Sequence, residues 1–296
     1  MDNLTHSLVG ALIGQAGLKR KTGLAMPALI VGANLPDVDS VCMLLGTQAL
    51  ALRRGLTHGP IAWVLLPLAL AAILWWYDRW QTQRGRRPES GAPVRFGQLY
   101  LLALIACLTH PALDWLNSYG IRLLSPFSQR WFYGDALFII DLWLWLGLGF
   151  ATWRSLRLEC RGRYFQGTAH VALAVALLYA GLNAARSELD KAMNTDSAVL
   201  IPNPVPLAFW ERQRIAGDGD GRWWIEGREI GDVPLAHCDL ESARRTDSDA
   251  QAFLVWSRAP YLERLPDGRW LLGDARFASR GARFSVVLPA GTCDPG

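Results

Sequence analysis

Cysteine is scarce and unpatterned in this chain: Cys42, Cys107, Cys160, Cys238 and Cys293 are the full complement, and no two stand in CxxC spacing. That argues against a thiolate zinc site or a thioredoxin-like redox motif and leaves buried or incidental thiols as the default reading. A convincing secretory leader is also lacking. In MDNLTHSLVGALIGQAGLKRK the basic cluster follows the apolar run, and Asp2 and His6 stand where a basic n-region belongs, so the segment is expected to be retained. There is no long basic face either. The formal charge is +4, and the Lys and Arg residues fall in short clusters beside apolar runs, which speaks against a nucleic-acid partner and for membrane topology signals.

What the sequence does have is apolar length. Hydrophobic residues make up 51% of the 296 positions and concentrate before about Arg186. Six stretches stand out: Leu4 to Leu18, Gly23 to Leu35, Pro60 to Tyr77, Leu99 to Leu116, Ala136 to Trp153 and Ala169 to Ala185. The last four approach the roughly 20 residues that cross a bilayer. The first two are short and Gly-rich, which suits tilted spans or helices packed inside a bundle, and Gly10 and Gly14 have the GxxxG spacing that lets a neighbouring helix come close. Trp75, Trp76, Trp80, Trp143, Trp145 and Trp153 read as interfacial belts and packing.

Three basic clusters, Lys19 to Lys21, Arg79 to Arg95 and Arg154 to Arg163, land on one side of a six-span arrangement. The positive-inside rule makes that side cytoplasmic and puts the loops at 36–59 and 117–135, with everything after Arg186, on the other. Beyond about Thr195 the pattern changes to short alternating segments, Arg222 to Glu226, Ala252 to Trp256, Arg269 to Leu272 and Arg283 to Leu288, separated by Gly217 to Gly221 and Pro266-Asp267-Gly268 turns. The Asp-Gly run lacks the spacing of a calcium loop and reads as a hairpin turn. The expected fold is therefore mostly α: a polytopic transmembrane helical bundle of about six spans over 1–190, then a small β-rich, extracytoplasmic domain over 195–296. An outward tail would also allow Cys238 and Cys293 to pair.

Chemistry gathers in the first part. Three of the five His sit in one repeated tripeptide, Leu4-Thr5-His6, Leu56-Thr57-His58 and Leu108-Thr109-His110, in a chain with only eleven Thr. On the topology above all three reach the same membrane face. Asp37 and Asp39 follow Pro36, which stops a helix and leaves both acids on a stiff turn. Asp114 stands four residues after His110, on the same helix face, and Asp135 and Asp141 open the fifth stretch. A lone His at a helix end is more often a cap than a ligand, but carboxylates and imidazoles within apolar spans persist mainly when paired, metal-bound or lining a wet cavity. Asp2 is alternatively a helix cap, and Asp141 alternatively an ion-pair partner of Arg. His170 and His237 fall outside the set.

These residues carry a resemblance. Leu4-Thr5-His6, Asn34-Leu35-Pro36-Asp37-Val38-Asp39, Arg54 with Thr57-His58-Gly59, and His110-Pro111-Ala112-Leu113-Asp114-Trp115 resemble the YdjM family of bacterial inner-membrane proteins, described as membrane-bound metal-dependent hydrolases. That family is distantly similar to zinc-dependent phospholipase C and the P1-type nucleases, helical enzymes that hold zinc with His and Asp. The resemblance implies His6, Asp37, His58, His110 and Asp114 as ligands of one or two divalent ions, zinc first by ligand type; the further His residues of a three-zinc cluster are missing here. Arg54 would neutralise an anionic substrate group, Asp39 or Asp135 would accept a proton from water, and a site at the outer bilayer face suits a lipid or lipid-linked phosphoester. The rival is a transporter or an ion-conducting protein in which the same acids and His relay protons or bind a transported metal. Some members are labelled as binding the LexA regulator, but an outward tail would not meet a cytoplasmic repressor.

Overall fold

The computed structural model describes residues 1–87, 92–280 and 284–293, and its chain is mostly helical. In order, the helices are α1 (Asn3–Gln15), α2 (Ala25–Gly32), α3 (Ala49–Leu52), α4 (Pro60–Gln83), α5 (Phe96–Trp115), α6 (Leu142–Cys160), α7 (Gln166–Ala192), α8 (Leu240–Thr246) and α9 (Ser248–Trp256). The strands are β1 (Val199–Pro204), β2 (Arg212–Gly217), β3 (Trp223–Ile225), β4 (Arg228–Ile230), β5 (Pro260–Arg264), β6 (Trp270–Asp274) and β7 (Ser285–Val287). Contacts divide the chain into two compact units, Met1–Val38 with Arg54–Ala184, and Asp39–Arg53 with Ala185–Gly296.

The first unit is built around α5. One core joins Ala28 and Leu29 of α2 to Leu99, Leu102 and Ala106 of α5. A second joins Leu12 of α1 to Leu116, Leu137, Leu144 and Leu148. Small residues set the helix spacing. A Cβ on Gly10 would stand 2.5 Å from the carbonyl oxygen of Leu29, and one on Gly32 would stand 3.1 Å from that of Ala103, so α1 meets α2, and α2 meets α5, backbone against side. This is the close approach that the Gly10 spacing predicts.

Three helices, α4, α5 and α7, are long and apolar enough to cross a membrane, and a fourth span is added if α2 and residues 35–52 form one broken span. The six apolar stretches therefore do not yield six such helices. At 13 residues, α1 reaches only about 20 Å at the α-helical rise. The fifth stretch, Ala136 to Trp153, becomes helical only at Leu142, where Asp141 caps α6, and its last two turns carry Arg154, Arg157 and Glu159. Asp135 thus lies in a loop, not at the start of a helix.

In the second unit, β1 to β4 form an antiparallel four-stranded sheet in sequence order, and β5 to β7 a three-stranded one. The Gly217 to Gly221 turn joins β2 to β3, and Pro266-Asp267-Gly268 joins β5 to β6. One expected strand is a helix. Ala252 to Trp256 belongs to α9, because Asp247 caps the segment by accepting from the amides of Asp249 and Ala250, and Ala252, Phe253 and Trp256 bury one helical face. Of the expected segment from Arg283, β7 covers Ser285–Val287, and Arg283 lies outside the described residues. Cys238 and Cys293 form a disulfide.

Candidate metal centre

The turn after α2 brings the first acid into place. Asn34 donates through Nδ2 to the Ile30 carbonyl at 2.8 Å and to Ser7 Oγ at 3.0 Å, which ties the end of α2 to α1. The amide of Asp37 then donates to the Asn34 carbonyl. From α5, His110 donates through Nδ1 to the Ala33 carbonyl at 2.7 Å. A carbonyl can only accept, so the proton sits on Nδ1 and the Nε2 lone pair faces the other way. His58 enters from the turn before α4, held by the Trp63 indole donating to its carbonyl at 2.7 Å and by Thr57 Oγ1 lying 2.9 Å from its Nδ1.

These residues converge. Asp37, His58, His110 and Asp114 each offer a ligand atom such that all four lie within 4.8 Å of one another. Asp114 is the hub: His110 Nε2 and His58 Nε2 both stand 3.5 Å from its Oδ2, and Arg54 Nε stands 3.1 Å from the same oxygen. Asp37 Oδ1 lies 3.7 Å from His110 Nε2. His6 flanks the four, with its ring stacked on that of His110 at 3.7 Å between centroids and Nε2 3.4 Å from Asp114 Oδ1, an oxygen that also accepts from the Met1 amine. His6, His58, His110 and Asp114 are fully buried.

The donor set suits a divalent cation. Both ring nitrogens of His6 and Nε2 of His110 are buried and make no hydrogen bond among the described residues. Orphaned imidazole nitrogens next to a buried carboxylate are costly unless something coordinates them, and mixed His and Asp donors fit zinc and similar ions.

The flanking residues fall into two groups. Arg54, 4% exposed, donates through Nη1 to Asn117 Oδ1 at 2.9 Å, and its guanidinium lies 4.8 Å from the Tyr119 ring centre. Its backbone has φ of 54°, and that of Asp135, fully buried, has φ of 51°. Left-handed backbone at a non-glycine residue persists only where surroundings enforce it, and such residues cluster at functional sites. For Asp135 the enforcement is visible. The amides of Gly134, Ala136 and Leu137 donate to the carbonyls of Trp115 and Leu116, capping the end of α5 one residue beyond Asp114.

Residues 1–188 match the family model described as YdjM inner membrane protein. The chain belongs to that family. Over 141 residues it is 31% identical to YfhP of Bacillus subtilis (strain 168), a protein described as uncharacterized, in a match covering 44% of this chain and 39% of that one; the chain thus spans about two-fifths of this relative's length. No solved structure matches. This YdjM-family member is accordingly an inner-membrane protein with a buried His and Asp group able to hold a metal ion.

Within the YdjM-family chain, the remaining candidate acids have other partners. Asp39 belongs to the second unit, where Arg53 Nε lies 3.7 Å from its Oδ1. Asp2 caps α1 and accepts from the Trp145 indole at 3.0 Å. Asp141 caps α6 and accepts from the Tyr179 hydroxyl at 2.9 Å. His237 packs its ring 5.0 Å from Trp270. Asn117 and the Ala33 carbonyl are the contributors that sequence reasoning misses. Asn117 sits three residues after Asp114, a spacing that is a usable signal, whereas a backbone carbonyl leaves none.

Proposed function

We propose that this protein is a membrane-bound, metal-dependent hydrolase of a lipid or lipid-linked phosphoester. The observation that carries this reading is the buried meeting of Asp37, His58, His110 and Asp114 from three separate parts of the chain. These four would hold the ion, with His6 available at the edge. A divalent ion there, zinc first by ligand type, would lower the pKa of water to about 7 and polarise an ester oxygen.

The chain's own groups supply the rest. Arg54 holds Asp114 in register through Nε and places fixed positive charge where an anionic substrate group would lie. Asp39 or Asp135 would accept the proton from water. His110 is locked in the Nδ1–H tautomer by Ala33, which orients its lone pair.

For topology we keep six membrane passages, counting α1, the α2 break and α6 together with the three long helices, and we place the C-terminal unit outside the cytoplasm. The Cys238–Cys293 disulfide supports that side, because disulfides persist in oxidising compartments.

The test is zinc per chain and chelator-sensitive thermal stability of purified protein, with and without His58→Ala and His110→Ala, alongside hydrolysis of a lipid phosphoester. Stoichiometric metal lost in both variants supports the reading. Wild type that holds no metal, with stability indifferent to chelator, ends it and moves the proton-relay alternative ahead.

A further inference from the structure

The two helices that present His6 and His110 also wall a second chamber. Thr5 and Val9 of α1, and Thr109 and Leu113 of α5, line a cavity of about 400 Å³ together with residues of α6 and α7. Each Thr immediately precedes a His of the metal centre, and Leu113 immediately precedes Asp114. Successive helical residues diverge by about 100°, so α1 and α5 turn one face to the metal centre and the next face to this cavity at the same depth.

The cavity's walls take no polar ligand. Its two hydroxyl groups are already committed, Thr5 Oγ1 donating to Asp2 Oδ2 at 2.6 Å and Thr109 Oγ1 to the Ala106 carbonyl at 2.7 Å. The rest of the lining is almost wholly carbon, including Trp115 and Leu116. On α7 the small residues Ala176, Ala180, Gly181 and Ala184 form the wall and leave the room that larger side chains would fill. Leu177 of the same wall is 74% exposed, on a helix long and apolar enough to cross a membrane. What lies beside such a surface in a bilayer is hydrocarbon, so a residue of this cavity wall faces the lipid phase.

We infer that this cavity seats the hydrocarbon chain of a membrane lipid whose ester-bearing head group reaches the metal centre. The inference rests on the hydrolase reading for its substrate, and it makes the substrate a lipid with a flexible chain, not a water-soluble phosphoester. Selection comes from shape: a chain enters between α5 and α7, while its head group stays at the level of His110 and Asp114.

The experiment uses full-length protein in phosphatidylethanolamine vesicles containing phosphatidylglycerol with a photoactivatable diazirine in one acyl chain. Cross-linked residues are mapped by mass spectrometry, and zinc per chain is measured on the same preparations. Adducts should concentrate on Leu113, Trp115 and Leu177 and fall severalfold in Ala180→Leu, with zinc content unchanged and adducts to the exposed Ile73 of α4 unaffected. Ala176→Leu serves as the second variant if Ala180→Leu does not fold. Adducts on the cavity residues no more frequent than on Ile73, or indifferent to both substitutions, overturn the chain seat while leaving the metal reading standing. Cavity adducts on a protein without zinc support the seat and count against the hydrolase.

Discussion

The Nδ1 of His110 lies 2.7 Å from the carbonyl oxygen of Ala33, at the end of a different helix. That bond settles the tautomer, and with it which nitrogen can bind a cation. His110→Ala should abolish stoichiometric zinc and leave the Ala33 carbonyl without its partner, for a loss of about 1–3 kcal/mol in the metal-free protein. Metal analysis and thermal unfolding in detergent with chelator read the two effects separately. Full zinc retention would disprove the ligand assignment.

Asp114→Asn tests the hub. From the sequence alone, an amide of the same shape is expected to leave the fold intact and even to relieve a buried charge. The ion pair with Arg54 at 3.1 Å reverses that sign, because a buried guanidinium that loses its carboxylate costs about 3–5 kcal/mol. The expected outcome is a lower unfolding temperature even in chelator, with loss of metal. A double variant, Asp114→Asn with Arg54→Met, should recover much of the stability and none of the metal.

Cys238 and Cys293 close a loop with a sequence separation of 55. Cys293→Ser should destabilise the C-terminal unit by about 2–5 kcal/mol. Protein purified without reductant should show three alkylatable thiols, Cys42, Cys107 and Cys160, after denaturation, and five after reduction. Five without reduction would argue for a reducing compartment and against the outward tail.

Asp274 gives a pH prediction away from the membrane segments. Burial alone would raise its pKa, but the Arg276 guanidinium, with bonds of 2.8 Å, and the Ser257 hydroxyl at 2.6 Å outweigh that and hold the carboxyl below its ordinary value. A depressed native pKa contributes stability that is fully present above the unfolded-state pKa and is lost as pH falls through the native one. Unfolding of the C-terminal unit, followed by the fluorescence of buried Trp256, should therefore ease as pH drops below about 4. Asp274→Asn should be less stable at neutral pH and lose much of this dependence.

The parts of this molecule legible in sequence are those written in side chains. The repeated Leu-Thr-His tripeptide, the Pro36 stop and the HxxxD pair are covalent patterns, and all of them bear on one buried group. Even so, the three Thr residues of the repeat do different things: Thr5 binds Asp2, Thr109 binds its own helix, and Thr57 meets the neighbouring His58 ring. Helix counts were harder to read, because apolarity does not say where a helix begins; Asp141 as a cap moves the start of α6 to Leu142 and leaves Asp135 in a loop. Likewise Ala252 to Trp256 alternates like a strand, yet the cap at Asp247 commits it to a helix. The left-handed backbone of Arg54 and Asp135 had no sequence signal, since neither residue type demands it.

The capping of α5 by residues 134–137 also dictates when the centre can come into being. A nascent chain that has reached Gly59 already carries His6, Asp37 and His58 but lacks His110 and Asp114, and not until residue 137 has left the ribosome is the helix end beneath Asp114 closed. Until then His6, on the 13-residue α1, and Asp37, just after the 8-residue α2, wait without His110 and Asp114. Any ion the proposed centre takes would therefore be bound late in biogenesis, after the segment that closes α5 has been made.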